Sequence, residues 1–69
     1  MEKNILYKKI RDKRATLREQ YEFMEFLHED GVITDEHYRR FCAGEDRAWL
    51  LSLARLSFSI CYKLNISKS

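Results

Sequence analysis

Apolar side chains recur at helical spacing through the first half of the chain, where no proline interrupts the backbone. Between residues 4 and 29 they lie three, four and seven positions apart, which is the period of an amphipathic helix. Lys13 and Arg14 break this pattern. It therefore predicts either one long helix with an exposed middle turn or two helices that meet near residues 14–16. The apolar positions are Leu6, Ile10, Leu17, Tyr21, Met24 and either Leu27 or His28.

A helical hairpin is predicted around Gly31. Glycine adopts the left-handed conformation that ends a helix without steric cost. Thr34 then suits an N-cap, and the two acidic residues after it favour the positive end of the next helix dipole. Ile33 and Tyr38 have the spacing of a hydrophobic staple. These signals together predict a tight αα-hairpin.

The last third of the chain fits two patterns. Gly44 marks the end of the helix that begins at Asp35, and a further helix from Glu45 to about Tyr62 accommodates the apolar run that follows. Residues 56–67 also alternate between apolar and polar side chains, as a half-buried strand does. We favour the helix because a lone strand would find no partner in an otherwise helical chain, and the strand remains an alternative.

The whole chain, residues 1–69, is predicted to form one all-α domain, a small bundle of three to four helices. A domain of this length buries only about 60% of the surface that its unfolded chain exposes. Such short domains usually gain stability from a disulfide, a metal or a second subunit. Two cysteines are too few for a disulfide framework. We therefore expect homodimerisation to complete the bundle.

Apolar surface is more abundant than a three-helix monomer of this size is expected to hide. Surplus apolar surface marks an interface, and tryptophan and tyrosine are common anchors of interfaces. The sequence therefore indicates a small, non-enzymatic regulatory or adaptor protein that binds another protein or a second copy of itself. The expected partner-binding residues are Trp49, Leu53, Leu56, Phe58, Ile60, Tyr62, Phe23 and Phe26.

Charge is segregated along the chain although the formal net charge is only +2. Residues 1–18 carry seven basic and two acidic side chains, residues 19–36 carry seven acidic and no Lys or Arg, and the remainder carries six basic and two acidic. A basic helix can contact phosphates, so the alternative function is a helical nucleic-acid-binding transcriptional regulator. Its expected contacts are Lys8, Lys9, Arg11, Lys13, Arg14 and Arg18.

No combination of side chains in the sequence assembles a catalytic site. His28 and His37 flank the hairpin and could bind a metal together with Glu29 and Asp30, but ordinary surface composition explains them better. We therefore expect neither enzyme activity nor a cofactor nor a metal.

A cytoplasmic setting is expected because the first residues show no targeting segment and the cysteines show no disulfide framework. Cys42 and Cys61 are expected to act as small buried hydrophobes. The apolar run of residues 48–62 is interrupted by Arg55 and is too short to span a bilayer.

Two short segments resemble known families. The pattern Leu27-x-x-x-Gly31-Val32-Ile33-Thr34-Asp35-Glu36-x-Tyr38 is similar to the short C-terminal domain, a helical hairpin that serves oligomerisation or interaction. In residues 35–46, Phe41 lies six positions after Asp35 and five before Asp46. This spacing is similar to that of the Hha/YmoA nucleoid modulators, small helical proteins that bind a DNA-organising partner. The latter resemblance, which does not extend to the flanking sequence, implies a partner site at Asp46.

Overall fold

The computed structural model describes residues 3–68, with the surroundings of side chains described as far as Tyr62. Four helices follow one another: α1 (Lys3–Arg11), α2 (Leu17–Glu29), α3 (Asp35–Cys42) and α4 (Arg47–Lys68). The prediction of an all-α fold is confirmed over this range. The strand alternative for residues 56–67 is wrong, because helical spacing brings Leu50, Ala54 and Phe58 together on the buried side of α4.

The first apolar segment forms two helices rather than one. The backbone of Lys13 is left-handed, with φ of +58°, and this turns the chain between α1 and α2. Thr16 caps α2: its hydroxyl accepts a hydrogen bond from the backbone N–H of Glu19, and the Glu19 carboxylate accepts one from the backbone N–H of Thr16. This capping box fixes the start of α2.

The hairpin between α2 and α3 is confirmed. Gly31 has φ of +74°, and the Thr34 hydroxyl accepts a hydrogen bond of 3.1 Å from the backbone N–H of His37. Ile33 is buried in the core, and Tyr38 is half-buried and packs against that core. A second left-handed glycine, Gly44 with φ of +84°, follows α3.

All four helices contribute to one hydrophobic core. α2 packs against the other three helices, and α1 and α3 each pack against both α2 and α4. Phe58 on α4 joins these layers, because its ring stacks on Tyr7 of α1 at 4.7 Å and lies 5.7 Å from the Phe23 ring of α2. The buried apolar residues are Leu6, Ile10, Phe23, Met24, Leu27, Ile33, Phe41, Leu50, Ala54 and Phe58.

Both cysteines are exposed, so the prediction that they are buried is wrong. Cys42 is the last residue of α3 and follows Phe41, which takes the core-facing position at that end of the helix. Cys61 lies three positions beyond Phe58, which is itself buried in the core. Each thiol therefore lies beyond the last buried residue of its helix in the described part of the chain.

Among the described residues, no helix is both long enough and apolar enough to cross a membrane.

Candidate functional site

Helix α4 carries apolar side chains on two different faces. One face enters the core through Leu50, Ala54 and Phe58. The other is formed by side chains spaced i, i+4, i+7 and i+11, which share one side of a helix. We call this second face the α4 stripe, and it consists of Trp49, Leu53, Leu56 and Ile60.

The α4 stripe is largely open to solvent. Trp49 is 55% exposed, Leu56 is 56% exposed and Ile60 is 60% exposed, whereas Leu53 is half-buried between them. Single exposed apolar residues are normal on a protein surface, but a row of them on one face is characteristic of a binding surface. The α4 stripe is therefore the candidate functional site.

The other predicted partner-binding residues lie elsewhere. Phe23 is fully buried and Phe58 is 4% exposed, so both belong to the core and present no binding surface. Phe26 and Tyr62 are half-buried and pack against the same core. The structure thus divides the eight residues into four on the α4 stripe and four in or beside the aromatic core. Sequence alone could not separate them, because both faces of α4 are apolar.

The first turn of α4 contacts α2 and α3 through Arg47 and Trp49. Arg47 donates a hydrogen bond of 2.7 Å to the Tyr21 hydroxyl, and its guanidinium lies over the rings of Tyr21 and Phe41. The ring of His37, from α3, meets the Trp49 ring edge-on at 6.0 Å. Residues of α2 and α3 therefore contact the end of the stripe that carries its largest side chain.

A charged corner borders that end of the stripe. Arg40 forms an ion pair of 2.6 Å with Asp46 and a longer one of 3.9 Å with Glu45. Asp46 has φ of +49° and its carbonyl accepts the hydrogen bond from the Leu50 N–H that opens α4. The Asp46 carboxylate thus lies in the turn before α4, three positions before Trp49, and is paired with Arg40.

Three helices are joined at a polar junction on the core side of α4. Asp30, which follows α2, accepts hydrogen bonds from the Tyr62 hydroxyl of α4 and from the Lys3 ammonium of α1, the latter at 3.0 Å. The hydrogen bonds from Tyr62 and then Lys3 lower the pKa of Asp30. Burial, followed by the hydrogen bond to Asp30, raises the pKa of Tyr62. The junction is therefore held by an ionised carboxylate near neutral pH.

Half of the predicted nucleic-acid contacts are engaged with carboxylates. The bond from Lys9 to Glu19 is the shortest at 2.6 Å, and it is the first cause that lowers the pKa of Glu19. The engaged pairs are Lys9–Glu19 at 2.6 Å, Arg11–Asp12 at 3.1 Å and Arg18–Glu22 at 3.9 Å. Within the part of the chain that the structure describes, Lys8, Lys13 and Arg14 are exposed and form no ion pair.

The histidines take part in ring contacts. His28 stacks on Tyr38 at 4.4 Å and shares a hydrogen bond of 3.1 Å with Asp35. His37 lies beside Trp49 instead. Over the described residues, no three or more His, Cys, Asp or Glu side chains come together as metal ligands would.

A cleft of about 320 Å³ opens between the turn after α1, the start of α2 and the outer side of α4. Sequence reasoning missed it, because its walls come from three separate segments. Lys13 lies in the turn between α1 and α2, where its backbone adopts the left-handed conformation in which glycine is more usual. The lining residues are Ile10, Lys13, Ala15, Gln20, Ala48, Leu51, Ser52 and Arg55.

Comparisons of this chain with protein-family models, with curated proteins and with solved structures find no match, so its function is inferred from the geometry of these residues.

Proposed function

We propose that this protein is a small, non-enzymatic regulator or adaptor that acts by binding another protein through the α4 stripe, and that it pairs with itself as a homodimer. One observation supports this above all others: three large apolar side chains, each more than half exposed, lie on one face of a helix whose opposite face already forms the core. Fully burying such a side chain is worth about 1.5–3 kcal/mol, so a partner that covers the stripe recovers a substantial part of this from each.

The spacing of the stripe suits a symmetric pairing. In a two-fold dimer the same patch contacts itself. Two α4 helices packed antiparallel place Leu53 and Leu56 at the centre, with Trp49 of one copy opposite Ile60 of the other. Apolar residues four, three and four positions apart are the spacing at which helices interdigitate. The pairing would also bury additional apolar surface, which a domain as short as this one needs for stability.

Sedimentation equilibrium from low micromolar to near-millimolar protein tests the dimer. Wild-type protein is expected to show a monomer–dimer equilibrium, which Leu56→Glu shifts fully to monomer. Leu17→Glu is the matched control, because Leu17 is 48% exposed and lies on α2, off the stripe. A wild-type chain that stays monomeric throughout would overturn the homodimer. Equal effects of both substitutions would show that the stripe is not the interface.

A different partner protein is the other form of this proposal. The spacing of Asp35, Phe41 and Asp46 resembles that of the Hha/YmoA proteins, whose partner organises DNA, and this resemblance implies a partner site at Asp46, although no family model matches the chain. Asp46 lies three positions before Trp49, so one partner could cover both residues. In a pull-down with bound proteins identified by mass spectrometry, a partner retained by the wild type and lost with both Leu56→Glu and Asp46→Asn is expected. Retention by both variants would reject this form.

A cytoplasmic location belongs to the same proposal. Cys42 and Cys61 are both exposed free thiols, and such thiols persist in a reducing compartment. Fractionation of cells that express the chain tests this directly, and recovery from a membrane or extracellular fraction would contradict it.

Nucleic-acid binding is the second candidate function, and the exposure of three basic residues without ion pairs among the described residues favours it. Lys8, Lys13 and Arg14 would contact phosphates rather than base edges. Duplex DNA is then expected to bind with an affinity that falls steeply between low and physiological salt. Lys8→Gln is expected to weaken binding more than Arg11→Gln, since Arg11 is already paired with Asp12. Binding that is absent at low salt would exclude this candidate.

A further inference from the structure

The cleft between α1, α2 and α4 has the composition of a site for a small anion with an apolar body. Its lining includes four apolar residues, which we call the floor and which are Ile10, Ala15, Ala48 and Leu51. Two cations, Lys13 and Arg55, are part of its lining, and none of the eight lining residues is acidic. A cleft that combines an apolar floor with positive charge offers both parts of such a ligand a favourable environment.

The positive charge in the cleft is not neutralised by the surrounding protein. Lys9, nearby on α1, is paired with Glu19, whereas neither Lys13 nor Arg55 has an ion-pair partner in the described part of the chain. Lys13 also has a left-handed backbone, a conformation that glycine adopts more readily. The chain therefore places a lysine where the turn itself would favour a smaller residue.

The size and polarity of the cleft restrict the ligand. A volume of about 320 Å³ is near the lower end of the range for ligand pockets, so the cleft suits a compact molecule rather than a nucleotide. An inorganic anion would leave the floor of Ile10 and Leu51 uncovered, and a neutral hydrocarbon would gain nothing from the two cations. A carboxylate on an apolar body satisfies both requirements, because Arg and Lys bind carboxylates through charge-assisted hydrogen bonds.

We propose that this cleft binds a small organic carboxylate with an apolar body, whose carboxylate pairs with Lys13 and Arg55 while the body lies on Ile10, Ala15 and Leu51. The site is distinct from the α4 stripe and does not depend on the proposed protein-binding function. The two sites share α4, which presents Ser52 and Arg55 to the cleft and Leu53 and Leu56 to the stripe.

Titration of the full ¹⁵N-labelled chain with 3-phenylpropionate, followed by amide chemical shifts, tests the proposal. Saturable shifts are expected at residues that line the cleft, with 3-phenylpropionamide at least about tenfold weaker because it lacks the charge. Inorganic phosphate is expected to be weaker as well, because it does not cover the floor. Equal binding of the amide, equal binding of phosphate, or shifts confined to the α4 stripe would each overturn the proposal.

Substitutions separate the ligand site from the fold. Lys13→Gly removes the charge while keeping a residue that adopts a positive φ, so the fold is expected to persist and the affinity to fall. Arg55→Gln is expected to weaken binding similarly, and Lys8→Gln, on α1 but outside the cleft, serves as the control. Unchanged affinity in both cleft variants would overturn the assignment. A glutamate-containing peptide that binds more tightly than 3-phenylpropionate would assign the site to a protein ligand and also overturn it.

Discussion

Phe58→Ala and Leu56→Ala, two positions apart on α4, are expected to differ in stability by about 2–4 kcal/mol. Phe58 is 4% exposed, and its ring stacks on Tyr7 at 4.7 Å and on Tyr62 at 4.4 Å. Truncating a buried phenylalanine costs about 3–5 kcal/mol, because contacts are lost and a cavity is left. Leu56 is 56% exposed, so less than half of its side chain is buried and its loss costs about 1 kcal/mol.

The size of the protein makes this difference easy to measure. Typical stability of about 0.05–0.15 kcal/mol per residue gives roughly 3–10 kcal/mol for a chain of this length. Phe58→Ala therefore removes a large part of the total, and where the total lies at the lower end of its range the variant is unfolded without denaturant. Leu56→Ala leaves the monomer folded, which is necessary if Leu56 is available to a partner.

Urea unfolding followed by far-UV circular dichroism at low micromolar protein is the appropriate assay. With a slope of about 1 kcal/mol per molar urea, Leu56→Ala is expected to lower the midpoint by about 1 M or less. Phe58→Ala is expected to lower it by about 3 M or more or to abolish the folded baseline. Phe58→Leu, which keeps most of the buried volume, should recover part of the loss. Equal losses at Phe58 and Leu56 would refute the assignment of two distinct faces to α4.

Three further predictions concern the ends of helices and the polar junction. Thr34→Ala is expected to cost about 1 kcal/mol in urea unfolding by removing the α3 cap, and Thr34→Ser to cost little; no loss with alanine would contradict the cap. Gly31→Ala should cost about 1 kcal/mol through backbone strain alone, because φ is +74° and nothing lies within 4 Å of the added carbon. Since Tyr62 and Lys3 lower the pKa of folded Asp30 below its ordinary value of 3.8, its contribution is present above that pH and is lost as pH falls through the folded value. Thermal melts should therefore show wild type above Asp30→Asn near neutrality, with the two converging in acid, and a constant difference would disprove the linkage.

Local features of the fold were predictable because each depends on a few neighbouring residues. The Gly31 turn and the Thr34 cap follow from backbone conformation and one hydrogen bond, and the structure has both. The capping box of Thr16 and Glu19 was equally readable, as a threonine followed three positions later by glutamate, and it would have settled the choice between one helix and two.

Features that depend on packing between distant segments could not be predicted. Residues 56–67 fit two periodicities, and the choice between them is made by the core of α1 and α2 against which Phe58 packs. The exposure of Cys42 and Cys61 depends on where each helix leaves that core. The cleft at Lys13 and Arg55 requires the turn after α1 to meet α4, which no pattern within either segment encodes.

The α4 stripe also has a consequence for how the chain is maintained in a cell. Chaperones and proteases act on the unfolded fraction of a protein, and a change of about 1–2 kcal/mol in stability can alter its abundance several-fold. A free copy displays Trp49, Leu56 and Ile60, whereas a copy whose stripe is covered does not. A partner of the kind proposed above would cover these side chains and stabilise the folded chain, so the half-life of the chain is expected to lengthen when such a partner is co-expressed.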